Sequence, residues 1–303
     1  MSIVLRFIIV IALHGGAEAG LFGSLFDKTP PPPASPPHIW VHVALRTYTA
    51  QNLQVIGTIG SLYGAAQHAG SWLTLTVAVL NTGQDGKLGH AAINATIAAL
   101  QATLAAANAH TLGSLSLRPS VHESVETYGY VSSDVELSRV MRMSVRPDYI
   151  LFANGDTLYA QEIFSEAKPH MMRGVGIIGM NWQPTTRHLS SGETKYCAFE
   201  QSLVDLNGLL FRVHSIRAAK ASFAAMHTPC PSELASPPSK PRSGGFMSMP
   251  PEARPRRCRN ADDRPYWVAD WGLAWQVIEH GATHGHGGST YCLKTPRPQF
   301  LQN

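Results

Sequence analysis

Apolar residues along this chain come in short unbroken runs and in helical stripes, and the two kinds alternate. Ile39 to Leu45 is an apolar run rich in β-formers, Leu53 to Tyr63 has helical character despite its glycines, and Trp72 to Leu80 is a second run closed by Asn81-Thr82-Gly83. Ile93, Ile97, Leu100 and Leu104 recur at i, i+4, i+7 and i+11, the stripe of an amphipathic helix. A short strand at Leu115 to Leu117, a helical segment from Asp134 to Met143 and a further strand at Tyr149 to Ala153 continue the series. This alternation predicts parallel strands joined by crossover helices.

Beyond Asp156 the pattern changes. Gly176 to Met180 and Leu206 to Val213 read as strands with no long helix clearly between them, so a mixed second half is expected. Residues 228–265 are dense in Pro, Ser and Arg and lack apolar periodicity, which predicts a disordered or disulfide-tethered insertion. Trp271, Ala274 and Ile278 mark one side of a short helix. From Gly281 the tail is rich in Gly and His, with no helical pattern. There is no internal repeat.

A length of 303 residues with 44% hydrophobic content allows one large domain. Its first segment has the marks of an address. Arg6, an apolar stretch from Phe7 to Leu13 and Ala17-Glu18-Ala19 match a cleaved signal peptide over residues 1–19. The stretch is well short of the ~20 apolar residues a membrane span needs, and no later segment reads as a stable span. Residues 20–37 form a Pro-rich linker, and 38–303 is expected to be a single domain. Secretory routing places the protein in the ER or Golgi lumen or outside the cell. It also permits disulfides among Cys197, Cys230, Cys258 and Cys292, for which three full pairings are possible. None of these cysteines has zinc-ligand spacing, so structural staples are expected.

The formal charge of +4 comes largely from Lys240, Arg242, Arg254, Arg256, Arg257 and Arg259, which lie in the Pro-rich insertion without interleaved aromatics. Nucleic acid is therefore not an expected partner. Gly174-Val175-Gly176-Ile177-Ile178-Gly179 spells G-x-G-x-x-G, but β-branched residues interleave it and it runs into a turn instead of opening a helix, which argues against a dinucleotide site. The chain lacks a Walker A loop, a nucleophile elbow and H-E-x-x-H. Asn154-Gly155-Asp156 is good turn chemistry. It closes the last strand of the alternating half, where open α/β sheets hold ligands, and so sets a carboxylate at a ligand-binding edge.

A parallel half, an apolar strand ending in an Asp-x-Asp variant, and a mixed second half resemble glycosyltransferases of the GT-A fold. The residues that carry the resemblance are Tyr149 to Asp156, together with Val204-Asp205-Leu206-Asn207-Gly208 and Leu209-Leu210-Phe211-Arg212. The resemblance implies an α/β fold with a parallel nucleotide-binding half followed by a mixed acceptor-binding half. It implies transfer of a sugar from a nucleoside-diphosphate donor to a glycan, protein or lipid acceptor, assisted by Mn²⁺ or Mg²⁺. Asp156 matches the metal-binding position of the motif. Asn154 replaces its first Asp, accepting a ribose hydrogen bond or coordinating through its carbonyl. His286, next to His284 in the tail, matches a later metal contact of some members. Asp270 is either the catalytic base for the acceptor hydroxyl or the N-cap of the helix that follows it. Thr47, with Tyr48 and Thr49, and Asp134 match nucleotide-side positions; Asp134 is equally explained as a helix N-cap. Asp205 either lines the sugar pocket or makes a structural hydrogen bond, and Trp271, with Trp275 one turn on, either offers an apolar face to a sugar ring or packs in the core. The alternative reading is a catalytically degenerate transferase-like domain that binds glycans or protein partners. Asn94-Ala95-Thr96 is an N-glycosylation sequon on the exposed side of its predicted helix.

Overall fold

The computed structural model describes residues 37–47, 53–82, 86–106, 114–118, 129–184, 205–223, 269–284, 289–293 and 299–302, with 197 and 199. The predicted signal peptide, the insertion at 228–265 and all but the last residue of the linker lie outside these residues.

The first half alternates as expected: β1 (Ile39–Thr47), α1 (Gln54–Ala69), β2 (Leu73–Asn81), α2 (Gly86–Ala106), β3 (Leu115–Leu117), α3 (Tyr130–Arg142) and β4 (Tyr149–Asn154). The second half contains β5 (Thr157–Tyr159), α4 (Ile163–Met172), β6 (Ile177–Gly179), β7 (Trp182–Pro184), a 3₁₀ turn (Leu206–Gly208), β8 (Leu209–Arg212), α5 (Val213–Ala219), α6 (Ala269–His284), β9 (Thr290–Cys292) and β10 (Phe300–Gln302).

The main sheet has seven strands in the order β3-β2-β1-β4-β8-β6-β9. β3, β2, β1 and β4 pair in parallel, β8 runs antiparallel to both β4 and β6, and β9 is parallel to β6. A smaller sheet has the order β5-β10-β7. The fold is therefore α/β with a parallel half followed by a mixed half, as the sequence pattern predicts.

Strands buried on both faces explain why β1, β2 and β4 are nearly continuous apolar runs. One face packs Val41, Val43 and Leu45 of β1 against α1, α2 and α4 residues such as Ile59, Ile93 and Phe164. The opposite face packs Ala44, Ile150 and Phe152 against α3, α5 and α6 through Leu137, Ile216 and Leu273. Three residues of the predicted stripe, Ile93, Ile97 and Leu100, are buried, and Asn94 of the sequon is exposed on α2; the side chain of the fourth, Leu104, lies outside those described.

Three expectations are corrected. The helix expected from Asp134 starts four residues earlier, because Gly129 takes a left-handed conformation (φ 79°) and turns the chain into α3. Asp134 is thus inside the helix and is not its N-cap. The expected strand from Leu206 to Val213 divides into the 3₁₀ turn, β8 and the start of α5. The tail expected to lack a helix carries α6 as far as His284 and then supplies β9 and β10, whose backbone groups are satisfied only by partners distant in sequence, such as Ile178 opposite Tyr291. Among the described residues no helix is long and apolar enough to cross a membrane.

Below the ligand edge, β1 and α3 share a buried ionic cluster that the sequence did not announce. Glu136 accepts from Arg118 (Nε, 2.9 Å) and Arg139 (Nη2, 2.6 Å), and pairs with His42 Nε2 at 2.9 Å. Burial pushes the Glu136 carboxyl up, but hydrogen bonds from His42, Arg139 and Arg118 outweigh it and hold the group well below the usual carboxylate range. Burial lowers the His42 pKa against the opposing pull of Glu136. Neutral His42 therefore donates from Nε2 to the carboxylate and accepts the Thr76 hydroxyl at Nδ1 (2.8 Å), while Trp40 Nε1 donates to Thr76 Oγ1 (2.9 Å). Every member of this cluster is engaged, which marks it as structural.

Candidate functional site

Strand order reverses between β1 and β4: β2 and β3 lie on one side of β1, and β4 lies on the other. Ligands of open α/β sheets sit outside the carboxyl ends of the strands at such a switch point. Here those ends are Arg46-Thr47 of β1, Asn81 of β2 and Asn154 of β4, with Arg46 in register opposite Asn154 and Thr47 opposite Asn81. Asn154-Gly155-Asp156 then turns the chain directly into β5, leaving Asp156 partly buried at the edge.

Arg46 is the main residue that the sequence reading missed. It is 5% exposed, its guanidinium carbon lies 4.8 Å from the centroid of the Tyr130 ring, and a Cβ on Gly129 would come within 3.0 Å of its Cδ. The signal was present: Arg46 is the single Lys, Arg, Asp or Glu in the apolar run Ile39–Thr47, and it stands near the carboxyl end of the strand. Beside it, the Thr47 carbonyl accepts from the Thr82 amide (3.1 Å) and hydroxyl (3.3 Å). The Thr47 hydroxyl is buried with no hydrogen-bond partner among the described residues.

Asp205 reaches this edge from the second half. Its Oδ1 accepts from the Asn207 amide at 2.8 Å, so its side chain caps the 3₁₀ turn. Tyr159 joins the two halves: its hydroxyl donates to the Asn207 carbonyl at 3.0 Å, and its amide donates to Ser61 Oγ of α1 at 3.1 Å. Burial pushes the Tyr159 hydroxyl well above the ordinary tyrosine range; Asp205 adds to the shift, Arg46 opposes it and Asp156 adds to it again. The charges of Asp205, Arg46 and Asp156, carried by three separate segments, thus all act on this one hydroxyl. The buried Thr157 hydroxyl and Asn207 Oδ1, also without hydrogen-bond partners among the described residues, add neutral polar atoms nearby in the chain.

The other candidates are more scattered. Asp134 Oδ1 accepts from the Phe223 amide at 2.7 Å, a tie between α3 and the segment after α5. Asp270 and Trp271 lie in the first turn of α6, so Asp270 is inside the helix; Trp275, one turn on, belongs to the core. His284 ends α6 exposed, with its ring stacked on His280 at 4.3 Å. Tyr48, Thr49 and His286 lie outside the described residues. Among the described residues no group of three or more His, Cys, Asp or Glu side chains is placed to hold a metal ion. Asp156 suits a cation that takes one or two carboxylates and completes its shell with phosphate oxygens and water.

Two glycines of G-x-G-x-x-G serve packing. Gly174 (φ 71°) lies against the Arg212 guanidinium, and Gly179 leaves no room for a Cβ beside Cys197 Sγ. Cys197 forms a disulfide with Cys292 of β9.

No protein-family model matches the sequence, and no curated protein matches it. Among solved structures, the chain is similar to S. aureus TarS 1–349 with a TM-score of 0.47 and 10% identity, over 88% of this chain and 60% of that one. It is similar to a second S. aureus TarS structure with a TM-score of 0.46 and 11% identity, over 88% of this chain and 37% of that one. It therefore spans less than two thirds of the length of either. A nucleoside-diphosphate-sugar pyrophosphorylase from Vibrio cholerae RC9 gives a TM-score of 0.40 and 11% identity, over 86% of this chain and 94% of that one.

Proposed function

We propose that the protein is a glycosyltransferase that takes a sugar from a nucleoside-diphosphate donor, with the donor seated on the C-terminal edge of β1, β2 and β4. The observation that carries this reading is the register of Arg46 opposite Asn154 and of Thr47 opposite Asn81 at the switch point of the sheet, with the turn to Asp156 directly after β4. Paired signs of charge beside neutral polar groups suit a ligand that is anionic at its diphosphate and hydroxylated at its sugar. In this reading Thr47 and Asn154 face the nucleoside, Asp156 offers an oxygen to Mn²⁺ or Mg²⁺, and Asp205 faces the donor sugar. Asp270 acts as the base for the acceptor hydroxyl, Trp271 lies on the acceptor side, and His286 is a further metal contact. A divalent ion so held supplies positive charge to the diphosphate leaving group. The acceptor is a glycan, protein or lipid in the secretory lumen or outside the cell, a setting that the Cys197–Cys292 disulfide supports.

The test is thermal stability with a panel of nucleotide sugars, with and without Mn²⁺, alongside a transfer and donor-hydrolysis assay. At least one donor is expected to raise the melting temperature. Asp156→Ala is expected to lose the increment added by Mn²⁺ and to slow transfer by about a hundredfold or more. Nucleotide binding with neither transfer nor hydrolysis would instead identify a transferase-like binding domain.

A further inference from the structure

The outer face of α2 is exposed and carries no charge. Ile93, Ile97 and Leu100 are buried on one side of the helix, while Ala91, Asn94, Ala95, Ala98, Ala99 and Ala102 are exposed on the other. From Leu88 to Leu117 the sequence holds no Asp, Glu, Lys or Arg. A surface helix ordinarily sets charged and polar residues against water on that side. Among these exposed residues Asn94 alone has a side chain that forms hydrogen bonds, and it opens the single Asn-x-Ser/Thr triplet of the chain in which x is not Pro. Thr96 supplies the hydroxyl that the triplet requires. In the folded helix this hydroxyl donates to the Ala92 carbonyl at 3.0 Å, one turn back.

We propose that Asn94 carries an N-linked glycan, which gives the outer face of α2 the hydration that its alanines do not. The inference rests on the secretory setting of the preceding section and adds a site at which the protein is itself modified. The Asn94 amide nitrogen bonds to the anomeric carbon of an oligosaccharide carried on a lipid diphosphate, under the oligosaccharide transferase of the lumenal membrane. The bond from that carbon to the diphosphate oxygen breaks, the lipid diphosphate leaves with the electron pair, and one amide proton passes to a base of that enzyme. Because the folded helix engages the Thr96 hydroxyl, the glycan is attached while this segment is still extended. Exposure of Asn94 then lets α2 form with its apolar stripe buried and the glycan in water.

Expression of the full-length chain in cultured animal cells tests this, read by protease protection in isolated microsomes, by recovery from the medium and by digestion with peptide N-glycosidase. The chain is expected to be protected or secreted, and the glycosidase to move its gel band by one step to the position of Asn94→Gln. Thr96→Val is expected to lose that step and Thr96→Ser to keep it, so the result does not depend on the folding of one variant. Asn94→Gln is expected to self-associate several-fold more in light scattering, because its alanine face is bare. Equal scattering overturns the hydrating role. A protected or secreted chain that the glycosidase leaves unmoved, or a step that persists in Asn94→Gln, overturns the glycan at Asn94 and leaves the secretory setting standing. If the chain is open to protease and absent from the medium, both fall.

Discussion

His42 and Arg46 show how differently two polar residues four positions apart on one strand, and so on one face of it, can be used. His42 is enclosed with Glu136, Arg118, Arg139 and Thr76 and is held neutral by burial, so the unfolded chain takes up its proton at higher pH than the folded one does. Stability from this group is complete above the unfolded value of 6.5 and is lost as pH falls towards the lowered folded value. Glu136 acts in the same direction at more acidic pH, because its depressed carboxyl favours the folded state until it protonates. The urea midpoint is therefore expected to fall between about pH 7 and about pH 5, and to fall less in His42→Gln, which lacks the titrating ring. Equal slopes in the two proteins would remove His42 as the cause. Asp156 was legible at this scale from sequence, because a turn after an apolar run announces a strand end. Arg46 was as visible as a letter, but its partners Tyr130 and Gly129 lie more than eighty residues away, so its environment was not.

The entry of α3 is the element on which the edge depends. Gly129 adopts a left-handed conformation while passing against both Arg46 and the Thr82 methyl, where an added Cβ would lie 3.0 Å from each. Gly129→Ala is expected to destabilise the fold by about 1–2 kcal/mol from the backbone conformation alone, read as a lower urea midpoint. It is also expected to shift Arg46 and weaken nucleotide binding, whereas Gly64→Ala, at a helical glycine with open space around it, is expected to leave binding unchanged. The elements of the first half were readable because long apolar runs and a helical stripe fix their type. The short strands β5, β7, β9 and β10 were not: three residues carry no usable period, and sheet pairing with distant partners decides them.

Across the whole molecule, the Cys197–Cys292 disulfide closes a loop with a sequence separation of 95 and fastens the outermost strand of the main sheet. Cys292→Ser is expected to cost about 2–4 kcal/mol in urea unfolding, and reductant is expected to lower the melting temperature of the parent protein and not that of the variant through this bond. Four cysteines left the pairing open on paper. Adjacency of β9 and β6, with Gly179 making room for the sulfur, is what chose this pair.

The sequence by itself determined the alternating parallel half, the change to a mixed half and the position of Asp156 at a strand end, because local periodicity and turn chemistry control those features. Only the tertiary structure decided that β4 returns beside β1, and with it that Arg46 and Asn154 stand opposite each other at the carboxyl ends of adjacent strands. Strand order depends on which buried faces and backbone partners satisfy one another across the chain, and that information is held in long-range contacts that no local pattern carries.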